Sequence, residues 1–304
     1  MKRVIVTGGS GYVGRQVVSI LSDKKYDVLV LDKKPLKTSS NVSYKKIDLL
    51  SSKKLDEIFQ KADFVIHLAA EVGGVSFANN FPATIISNNA LIDLNCIRAA
   101  SKAKVKKYVY ISSSLVYEQS LKFPLVEKDT KNIPPPTLSY GLEKLFGESL
   151  CEAFFQEHAL SYSVCRLFNV YGINSAGNRD PNGHVIPDLI KKVKDSTGEV
   201  EVWGKKGIRR NFTHVSDIAQ GIVSTLESGD VNEVFNIADK NEYSIEDIVL
   251  ILWKVLKKEG APKLRYVKKN KKDVLRNFAS VVKAKRLLNW QAKKTMAEGL
   301  YEMI

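Results

Sequence analysis

The sequence predicts an α/β protein in which a doubly wound parallel sheet is followed by a smaller mixed α/β lobe. Three observations support this fold class. Over the first two thirds of the 304 residues, short apolar runs alternate with segments of helical spacing. A glycine-rich turn separates the first apolar run from the first helical segment. The last third loses this alternation, which indicates a separate arrangement of shorter elements.

The predicted strands of the first part are continuously apolar, as expected for a parallel sheet with helices on both faces. Their ranges are 4–7, 27–31, 64–68, 108–111 and 163–167. Helical spacing marks the segments 12–22, 55–60, 89–103 and 139–158. In the segment 89–103 we expect one buried face, formed by Leu91, Leu94, Cys96, Ile97 and Ala100.

The last third contains predicted strands at 200–203 and 234–237, separated by other elements. A basic loop covers 204–210, a segment of mixed sheet and helix character covers 212–226, and a helix covers 245–256. The predicted division assigns residues 1–168 and about 212–238 to the sheet domain. Residues from about 169 to 211 and from 239 to 304 form the second, substrate-binding lobe.

The first turn carries a dinucleotide-binding fingerprint. Gly9, Gly11 and Gly14 form GxGxxG, and Gly8 extends the pattern to GxxGxxG. Because the turn follows a strand and opens a helix, its glycines let a pyrophosphate approach free N–H groups at the positive end of that helix. Asp32 ends the second strand, where a carboxylate accepts both adenosine ribose hydroxyls and repels a 2′-phosphate. The sequence therefore predicts a Rossmann domain that binds NAD in preference to NADP.

Three later side chains predict hydride-transfer chemistry. Tyr140 and Lys144 form YxxxK in the helix 139–158, so they share one helical face. Removal of a hydride from an alcohol needs a base, and a nearby ammonium group lowers the pKa of a phenol. Ser113 follows the strand 108–111, at the sheet edge where ligands bind, and its hydroxyl can hold the reacting oxygen.

Composition argues against several other classes of protein. The formal net charge is +14, but the lysines occur as scattered pairs without interleaved aromatic residues, which disfavours a nucleic-acid groove. Cys96, Cys151 and Cys165 form no CxxC pattern, and no cysteine–histidine spacing indicates a metal site. No apolar run approaches the ~18 residues that span a bilayer, and no signal peptide is evident. We therefore expect a cytoplasmic protein that binds neither membrane nor metal.

These motifs resemble the extended short-chain dehydrogenase/reductase superfamily, in its nucleotide-sugar branch. The resemblance rests on TGGSGYVG at 7–14, DL at 48–49, HLAA at 67–70, VY at 116–117, and RLFNVYG at 166–172. It implies that Ser113, Tyr140 and Lys144 are catalytic. It also implies the following NAD-binding residues: Gly8, Gly11, Tyr12, Val13, Gly14, Asp32, Asp48, Leu49, Leu68, Ala69, Ala70, Tyr140, Lys144 and Phe168.

Further stretches are similar to a narrower branch, that of GDP-L-fucose synthase and GDP-mannose 3,5-epimerase. They are AAEVGG at 69–74, GHVIP at 183–187, VWG at 202–204 and RRNFTHVSD at 209–217. This similarity implies a nucleoside-diphosphate sugar held by Ser114, Asn169, His184, Val185, Trp203 and Arg210. An arginine suits a pyrophosphate because it can bind two oxygens at once. Leu115 stands where that branch has an acid–base cysteine, so 3,5-epimerisation is not expected.

The sequence thus leads to three hypotheses of function. The first is a 4-dehydrogenase or 4-ketoreductase that acts at C4 of a nucleoside-diphosphate sugar, GDP-linked by resemblance. The second is a 4-epimerase with tightly held NAD, which needs the same three catalytic residues. A non-catalytic, NAD-bound regulatory protein on the same fold is the third. The resemblance also implies a homodimer, paired through the helices 89–103 and 139–158.

Overall fold

The computed structural model describes residues 1–37, 39–51, 53–73, 77, 80–174, 176–177, 185–203, 206–267 and 276–304. Its strands are β1 (Arg3–Thr7), β2 (Asp27–Asp32), β3 (Val42–Lys46), β4 (Phe64–His67), β5 (Lys107–Ser113), β6 (Tyr162–Leu167), β7 (Val170–Tyr171), β8 (Glu199–Trp203), β9 (Arg209–Arg210), β10 (Thr213–His214), β11 (Glu233–Ile237), β12 (Tyr243–Ser244), β13 (Lys263–Val267) and β14 (Arg276–Asn277). Its helices are α1 (Tyr12–Asp23), α2 (Leu55–Phe59), α3 (Pro82–Lys102), α4 (Ser139–His158), α5 (Val185–Asp195), α6 (Val215–Glu227), α7 (Ile245–Val255), α8 (Val282–Leu288) and α9 (Met296–Glu302).

Seven strands form one parallel sheet within the described residues, in the order β3-β2-β1-β4-β5-β6-β11. The chain moves from β1 towards β3 on one side, and then from β4 towards β6 on the other. This reversal places the switch point between β1 and β4, where Val4 lies between Val28 and Phe64. In a doubly wound sheet, ligands bind beyond the carboxyl ends of the strands at this point. The predicted fold class is confirmed.

Helices cover both faces of this sheet, which explains why its strands are apolar throughout. Val4 and Val6 point into a core cluster that includes residues of α1 and α6, while Ile5 points into a second cluster with α2, α3 and α4. Successive residues of a strand face opposite sides of a sheet, so a strand that is buried on both faces needs apolar residues at every position.

A separate core cluster joins the smaller strands and helices that follow β6. It includes residues of α5, α7 and α9 with Val200 and Val202 of β8. The predicted division of the chain into two domains stays a prediction. One helix of the predicted second lobe packs on the large sheet. Ala284 and Leu288 of α8, with Trp290, pack in the cluster of the large sheet rather than in this one. None of the helices in the described residues is long and apolar enough to cross a bilayer.

The predicted buried face of the third helix is wrong in part. The helix begins at Pro82 rather than at residue 89, because proline suits the first helical position. Leu91 is 43% exposed, whereas Asn89 and Asp93 are buried. The face towards the sheet therefore contains polar side chains, whose partners are described below. The strand β3 falls outside the predicted ranges, since only Val42 of its five residues is buried.

Candidate active site

The carboxyl ends of four central strands meet at one edge of the large sheet. The glycine turn follows β1, Asp32 ends β2, the segment 68–70 follows β4, and Ser113 ends β5. The start of α4 packs directly on the segment after β5, because a Cβ on Gly141 would lie 2.8 Å from the Leu115 carbonyl oxygen. The fold therefore brings the predicted nucleotide turn and the predicted catalytic residues to the same edge.

The glycine turn packs so closely on the rest of the backbone that Gly8 and Gly14 leave no room for side chains. Gly8 has a φ of +70°, and a Cβ there would lie 2.7 Å from the Ala69 nitrogen. A Cβ on Gly14 would overlap the Gly8 carbonyl oxygen. Gly11 caps the N-terminus of α1, whose first turn contains no acidic residue. The positive end of this helix is thus left for an anion.

The two residues after Gly11 fix the turn to the rest of the protein. The Tyr12 hydroxyl donates to the Gly172 carbonyl oxygen at 3.0 Å, and the Asn174 side-chain amide donates to the Tyr12 carbonyl oxygen at 3.0 Å. Val13 packs against the core cluster of α1. The start of α1 is therefore tied to the segment that follows β7.

Asp32 lies beside the glycine turn with its carboxylate held by backbone groups. Oδ2 accepts from the Ser10 N–H at 3.0 Å, and Oδ1 accepts from the Lys34 N–H at 2.9 Å. Asp48 ion-pairs with Lys33 at 3.1 Å, next to the same strand end. Although desolvation opposes the effect, hydrogen bonds from the Leu50 N–H and Lys33 lower the pKa of Asp48. Two carboxyl side chains therefore lie near the turn, and that of Asp48 is held as an anion.

The residues expected to line a cofactor differ in exposure. Leu68, Ala69 and Ala70 follow β4 and are half-buried. Leu49 is buried in the core cluster of α2 and α3. Phe168 has no exposed surface and packs in a cluster with Tyr117, so its side chain offers nothing to a bound molecule.

Tyr140 and Lys144 lie one turn apart at the start of α4, as predicted. The Lys144 ammonium is 5.6 Å from the centre of the Tyr140 ring. Ser113 is half-buried at the end of β5, and its Oγ accepts from the Leu115 N–H at 3.2 Å. Tyr140 is half-buried as well, whereas Lys144 is only 3% exposed. An ammonium in this position favours a phenolate at Tyr140.

A buried cluster of polar side chains lies beneath Lys144, and we call it the lysine cluster. The Lys144 ammonium donates to the Tyr110 hydroxyl at 3.3 Å, and that hydroxyl donates to Asp93 Oδ2 at 2.6 Å. Glu143 Oε1 lies 3.6 Å from the ammonium and 3.4 Å from the Tyr110 hydroxyl. Asn89 Nδ2 donates to Glu143 Oε2 at 3.4 Å. Lys144 thus meets two carboxylates, one from α3 and one from its own helix.

The lysine cluster continues to the cofactor edge through His67. His67 Nε2 lies 2.9 Å from Asp93 Oδ1, and His67 Nδ1 lies 2.8 Å from Thr7 Oγ1. Thr7 Oγ1 in turn accepts from the Ala69 N–H at 3.3 Å. These contacts are satisfied when Nε2 carries the proton and donates to Asp93. A chain of hydrogen bonds therefore joins Lys144 to the turn after β4.

The charges of the lysine cluster shift the pKa values of its members. Burial alone would lower the pKa of Lys144, but Glu143 and Asp93 outweigh burial and raise it. For Asp93, Lys144 and the hydrogen bond from His67 overcome burial and lower the pKa. For Glu143, burial and Asp93 outweigh Lys144 and raise the pKa to about 7. Glu143 is therefore the carboxyl group of this cluster that titrates near neutral pH.

A glycine allows these groups to meet. Gly147 lies on α4 against β5, and a Cβ at this position would overlap the Tyr110 hydroxyl and lie 2.6 Å from Asp93 Oδ2. No other residue would leave the Tyr110 hydroxyl in place, so the close approach of α4 to β5 depends on Gly147.

A second buried charge cluster lies one turn further along α4, and we call it the arginine cluster. Arg166 donates from Nε and Nη2 to the two oxygens of Glu148, at 2.9 and 2.6 Å. Its other N–H groups donate to the Tyr117 hydroxyl at 2.6 Å, the Thr130 hydroxyl at 3.0 Å and the Glu127 carbonyl oxygen at 2.8 Å. All five guanidinium donors are occupied, and one carboxylate balances one cation.

Several of the expected substrate residues lie beyond β6 and the strands of the smaller lobe. Asn169 has a φ of +30°, and its side-chain amide donates to the Asn211 carbonyl oxygen at 2.7 Å. Arg210 is half-buried in β9, which pairs with β12 and β14. Ser114 is buried and accepts from Asn277 Nδ2 at 3.0 Å, so its hydroxyl already has a protein partner.

Two further expected substrate residues, Val185 and Trp203, belong to α5 and β8. Val185 is the first residue of α5 and is half-buried. Trp203 ends β8 with 46% of its surface exposed, and the Lys192 ammonium lies 3.9 Å from the centre of its ring. His184 lies outside the described residues. Within the described residues, no group of three or more His, Cys, Asp and Glu side chains could hold a metal ion.

Comparison with known proteins decides the family. A model of the NAD dependent epimerase/dehydratase family matches residues 4–238. The chain belongs to this family. It is therefore an NAD-dependent enzyme of the extended short-chain dehydrogenase/reductase type, as the sequence predicted, and the hypothesis of a non-catalytic protein is not supported.

Two curated members of the NAD-dependent epimerase/dehydratase family illustrate the range of relatives. UDP-glucuronate 4-epimerase of Thermodesulfobacterium geofontis is 30% identical over 97% of this chain and 93% of its own length. GDP-L-fucose synthase of Escherichia coli is 30% identical over 74% of this chain and 70% of its own length. Relatives with GDP-linked and UDP-linked names are thus equally similar in sequence, but the 4-epimerase matches over more of the chain.

Solved structures of family members cover nearly the whole chain. UDP-glucose 4-epimerase of Thermotoga maritima, solved with UDP-glucose, has a TM-score of 0.86 and 27% identity, and covers 99% of this chain and 96% of its own. MoeE5, solved with UDP-glucuronic acid and NAD, has a TM-score of 0.85 and 29% identity over 98% and 96% of the two chains. NAD is thus the cofactor of the family fold that this chain shares.

The residues at the sheet edge fit NAD. Gly8 and Gly14 let the turn pack closely on the segment after β4 and on itself, and the first turn of α1 offers N–H groups without a competing carboxylate. Asp32 stands beside this turn as an acceptor for ribose hydroxyls. The acid also fits NAD better than NADP, because it would repel a 2′-phosphate.

Sequence reasoning missed the lysine cluster apart from Lys144 itself. Asn89 and Asp93 are four residues apart in a helical segment and therefore share one face, which was a readable signal of a polar buried face. No local pattern links them to Glu143 or Tyr110, because those residues come from α4 and β5. Their meeting is a property of the folded sheet.

Proposed function

We propose that this enzyme is a nucleoside-diphosphate-sugar 4-epimerase that acts on a UDP-linked sugar. The observation that carries the proposal is the pairing of Tyr140 with Lys144 at the sheet edge where Ser113 ends β5, with Leu115 two residues after that serine. Three groups suffice to oxidise and reduce a single carbon. Leucine cannot move a proton at a second carbon, so neither 3,5-epimerisation nor a related reaction is supported.

In the proposed reaction, each side chain has one task. Bound NAD would supply reversible hydride chemistry at C4, and epimerisation requires the sugar to present its opposite face before that hydride returns. Tyr140 removes the proton of the C4 hydroxyl as that hydride leaves, and returns the proton when the ketone is reduced. The Lys144 ammonium favours the phenolate form of Tyr140. The Ser113 hydroxyl holds the reacting oxygen within reach of the phenol.

The choice between epimerase and dehydrogenase rests on the relatives that match over the greatest length. Those with coverage above 95% of this chain include UDP-sugar 4-epimerases by name, in both sequence and structure. The GDP-linked relatives match over 74–86% of the chain. This favours the 4-epimerase over the GDP-linked 4-dehydrogenase or 4-ketoreductase that sequence reasoning ranked first.

A direct assay tests the proposal. The purified enzyme is incubated without added cofactor with UDP-glucose, UDP-glucuronic acid or GDP-mannose, and the sugars are separated by chromatography. We expect the 4-epimer of one UDP-sugar to form with no net change in NADH absorbance. Net NADH formation or consumption with any of these substrates would instead support a dehydrogenase or reductase.

Tyr140→Phe provides the matched control for that assay. The variant lacks only the phenolic oxygen, so the fold and the NAD content should be unchanged. We expect turnover to fall by about 10²–10⁴-fold, the range for loss of a positioned acid–base group. Unchanged turnover would exclude Tyr140 as the base and with it the proposed mechanism.

We propose that Asn169, His184, Val185, Trp203 and Arg210 hold the nucleotide and sugar, as the similarity to the narrower branch implies. We also propose a homodimer that pairs through α3 and α4. Exposed apolar side chains on these two helices support it, because Leu91 of α3 and Leu142 and Phe146 of α4 are each at least 40% exposed. Sedimentation analysis measures the mass in solution. A monomer at micromolar concentration would contradict the dimer.

A further inference from the structure

We propose that Glu143 is a positioning residue: its carboxyl group competes with the Tyr140 phenol for one negative charge beside Lys144, and so sets the pH range in which Tyr140 accepts a proton. The inference rests on the proposed function, which gives Tyr140 its role as base. It deepens that function by assigning the pH dependence of the site to a residue that substrate does not touch.

Glu143 acts from below the site. Its side chain has no exposed surface, so it cannot contact a sugar or a cofactor. It reaches the Lys144 ammonium at 3.6 Å, while the same ammonium lies 5.6 Å from the centre of the Tyr140 ring. Lys144 is therefore shared between Glu143 beneath it and Tyr140 towards the sheet edge.

The number of charges makes the two groups competitors. Asp93 is held as an anion by donors from His67 and Tyr110, and this anion already balances the one positive charge of Lys144. A second anion beside Lys144 can be Glu143, which is buried, or Tyr140, which is half-buried. If both were ionised, three anions would lie around one buried ammonium, which is unfavourable.

The direction of the effect follows from this competition. Burial and Asp93 raise the pKa of Glu143 to about 7. Below that pH, Glu143 is neutral and Lys144 favours the phenolate of Tyr140. As the pH rises through that value, ionisation of Glu143 opposes a second anion at Tyr140. The coupling is reciprocal, since each ionised group raises the pKa of the other.

The other groups around Glu143 do not remove this competition. Burial raises the pKa of the Tyr110 phenol and of the Cys96 and Cys151 thiols, so these groups remain neutral near pH 7. Among the described residues, the groups that face the lysine cluster are Tyr140, Lys144 and Cys151 from α4, Asn89, Asp93 and Cys96 from α3, Tyr108 and Tyr110 from β5 and His67 from β4.

The test measures the ionisation of Tyr140 directly. Ultraviolet absorbance of phenolate is followed against pH in the NAD-bound enzyme, and the titration of Tyr140→Phe is subtracted to isolate Tyr140. In Glu143→Gln we expect the Tyr140 transition, and the acid limb of the kcat profile, to move down by about one pH unit. Glu152→Gln is the matched control, because Glu152 is exposed on the same helix and the formal charge loss is equal.

The outcomes separate this inference from the function on which it rests. A Tyr140 transition that moves in Glu143→Gln but not in Glu152→Gln supports the inference. An equal transition in both variants and in the unsubstituted enzyme overturns it and leaves the 4-epimerase proposal intact. Absence of any Tyr140 phenolate signal would overturn both.

A second measurement does not depend on how well Glu143→Gln folds. Infrared spectra record the carboxyl band of a protonated buried acid, which should titrate near pH 7 in the unsubstituted enzyme. In Tyr140→Phe the competitor of Glu143 is gone, so this titration should move to lower pH. A carboxyl titration that is the same with tyrosine and phenylalanine at position 140 would contradict the competition.

Discussion

The lysine cluster and the arginine cluster are both buried, and both involve α4, yet their charges are arranged in different ways. Arg166 has one carboxylate partner, Glu148, and each of its five N–H groups has an acceptor. Lys144 has two carboxylates around it, Asp93 and Glu143. One cluster is balanced, and the other holds one acid more than its cation can neutralise.

This difference separates a structural role from a chemical one. A balanced and fully bonded ion pair holds its elements in one arrangement and gives no group that titrates near neutral pH. An unbalanced cluster keeps a proton on one of its acids and can release that proton within the pH range in which an enzyme works. The lysine cluster lies under Tyr140, where such a proton matters, and the arginine cluster lies away from it.

The largest expected effect is on activity, and it should appear in the lysine cluster only. Lys144→Met removes the ammonium that favours the Tyr140 phenolate, so we expect turnover to fall by about 10²–10⁴-fold. Arg166→Met should leave the turnover of the folded fraction within about threefold of the original. Steady-state rates, corrected for the folded fraction by circular dichroism, measure both. Equal losses of turnover in the two variants would contradict the distinction between a chemical and a structural cluster.

The next effect is on stability, and it should be greater in the arginine cluster. Arg166→Met leaves Glu148 buried without its cation, and breaking such a pair costs about 3–5 kcal/mol. Lys144→Met should cost less, because Asp93 keeps its donors from His67 and Tyr110 and Glu143 can remain protonated. Urea unfolding gives both values. A greater loss of unfolding free energy in Lys144→Met than in Arg166→Met would contradict this prediction.

The smallest effect is the pH dependence of stability. The folded-state pKa of Glu143 is raised from 4.5 to about 7, so its contribution is fully present below pH 4.5 and is lost as the pH rises through 7. Relative to Glu143→Gln, the unsubstituted enzyme should therefore lose on the order of 1–3 kcal/mol of unfolding free energy across this window. Urea unfolding at several pH values measures the difference. A difference that does not change with pH would contradict the assignment.

Glu152→Gln serves as the control for that series. Glu152 is exposed on the same helix, so its carboxyl group stays in water in both the folded and the unfolded chain. The stability difference between Glu152→Gln and the unsubstituted enzyme should therefore stay nearly constant across the same window. The comparison of the two series isolates the acid that carries the extra proton.

The parts of the fold that the sequence predicts are those set by local pattern. Apolar runs gave the strands of the large sheet, and the glycine turn gave the start of α1 at Tyr12. The spacing of Tyr140 and Lys144 placed them on one face of α4, whose bounds agree with the prediction. These features depend on neighbours within about four residues, which is the range that periodicity reports.

The parts that sequence reasoning missed depend on long-range packing. Leu91 was expected in the core because it is apolar, but the face of α3 that meets the sheet carries Asn89 and Asp93. The burial of Asp93 is stabilised by His67, Tyr110 and Lys144, which come from three other elements. The Asn89 side chain bonds with the Glu71 backbone and with Glu143. The hydrophobic pattern cannot anticipate partners so distant in the chain.

The close approach of α4 to β5 has a consequence for variation of this chain. Alanine normally stabilises the interior of a helix relative to glycine by about 1 kcal/mol. At Gly147 the added methyl group would instead meet the Tyr110 hydroxyl and push the helix from the strand. In a library that samples all amino acids at each position, Gly147 should tolerate no replacement, although it touches neither nucleotide nor sugar. Intolerance at this position would therefore identify a residue that supports the catalytic base, and not a residue that binds nucleotide or sugar.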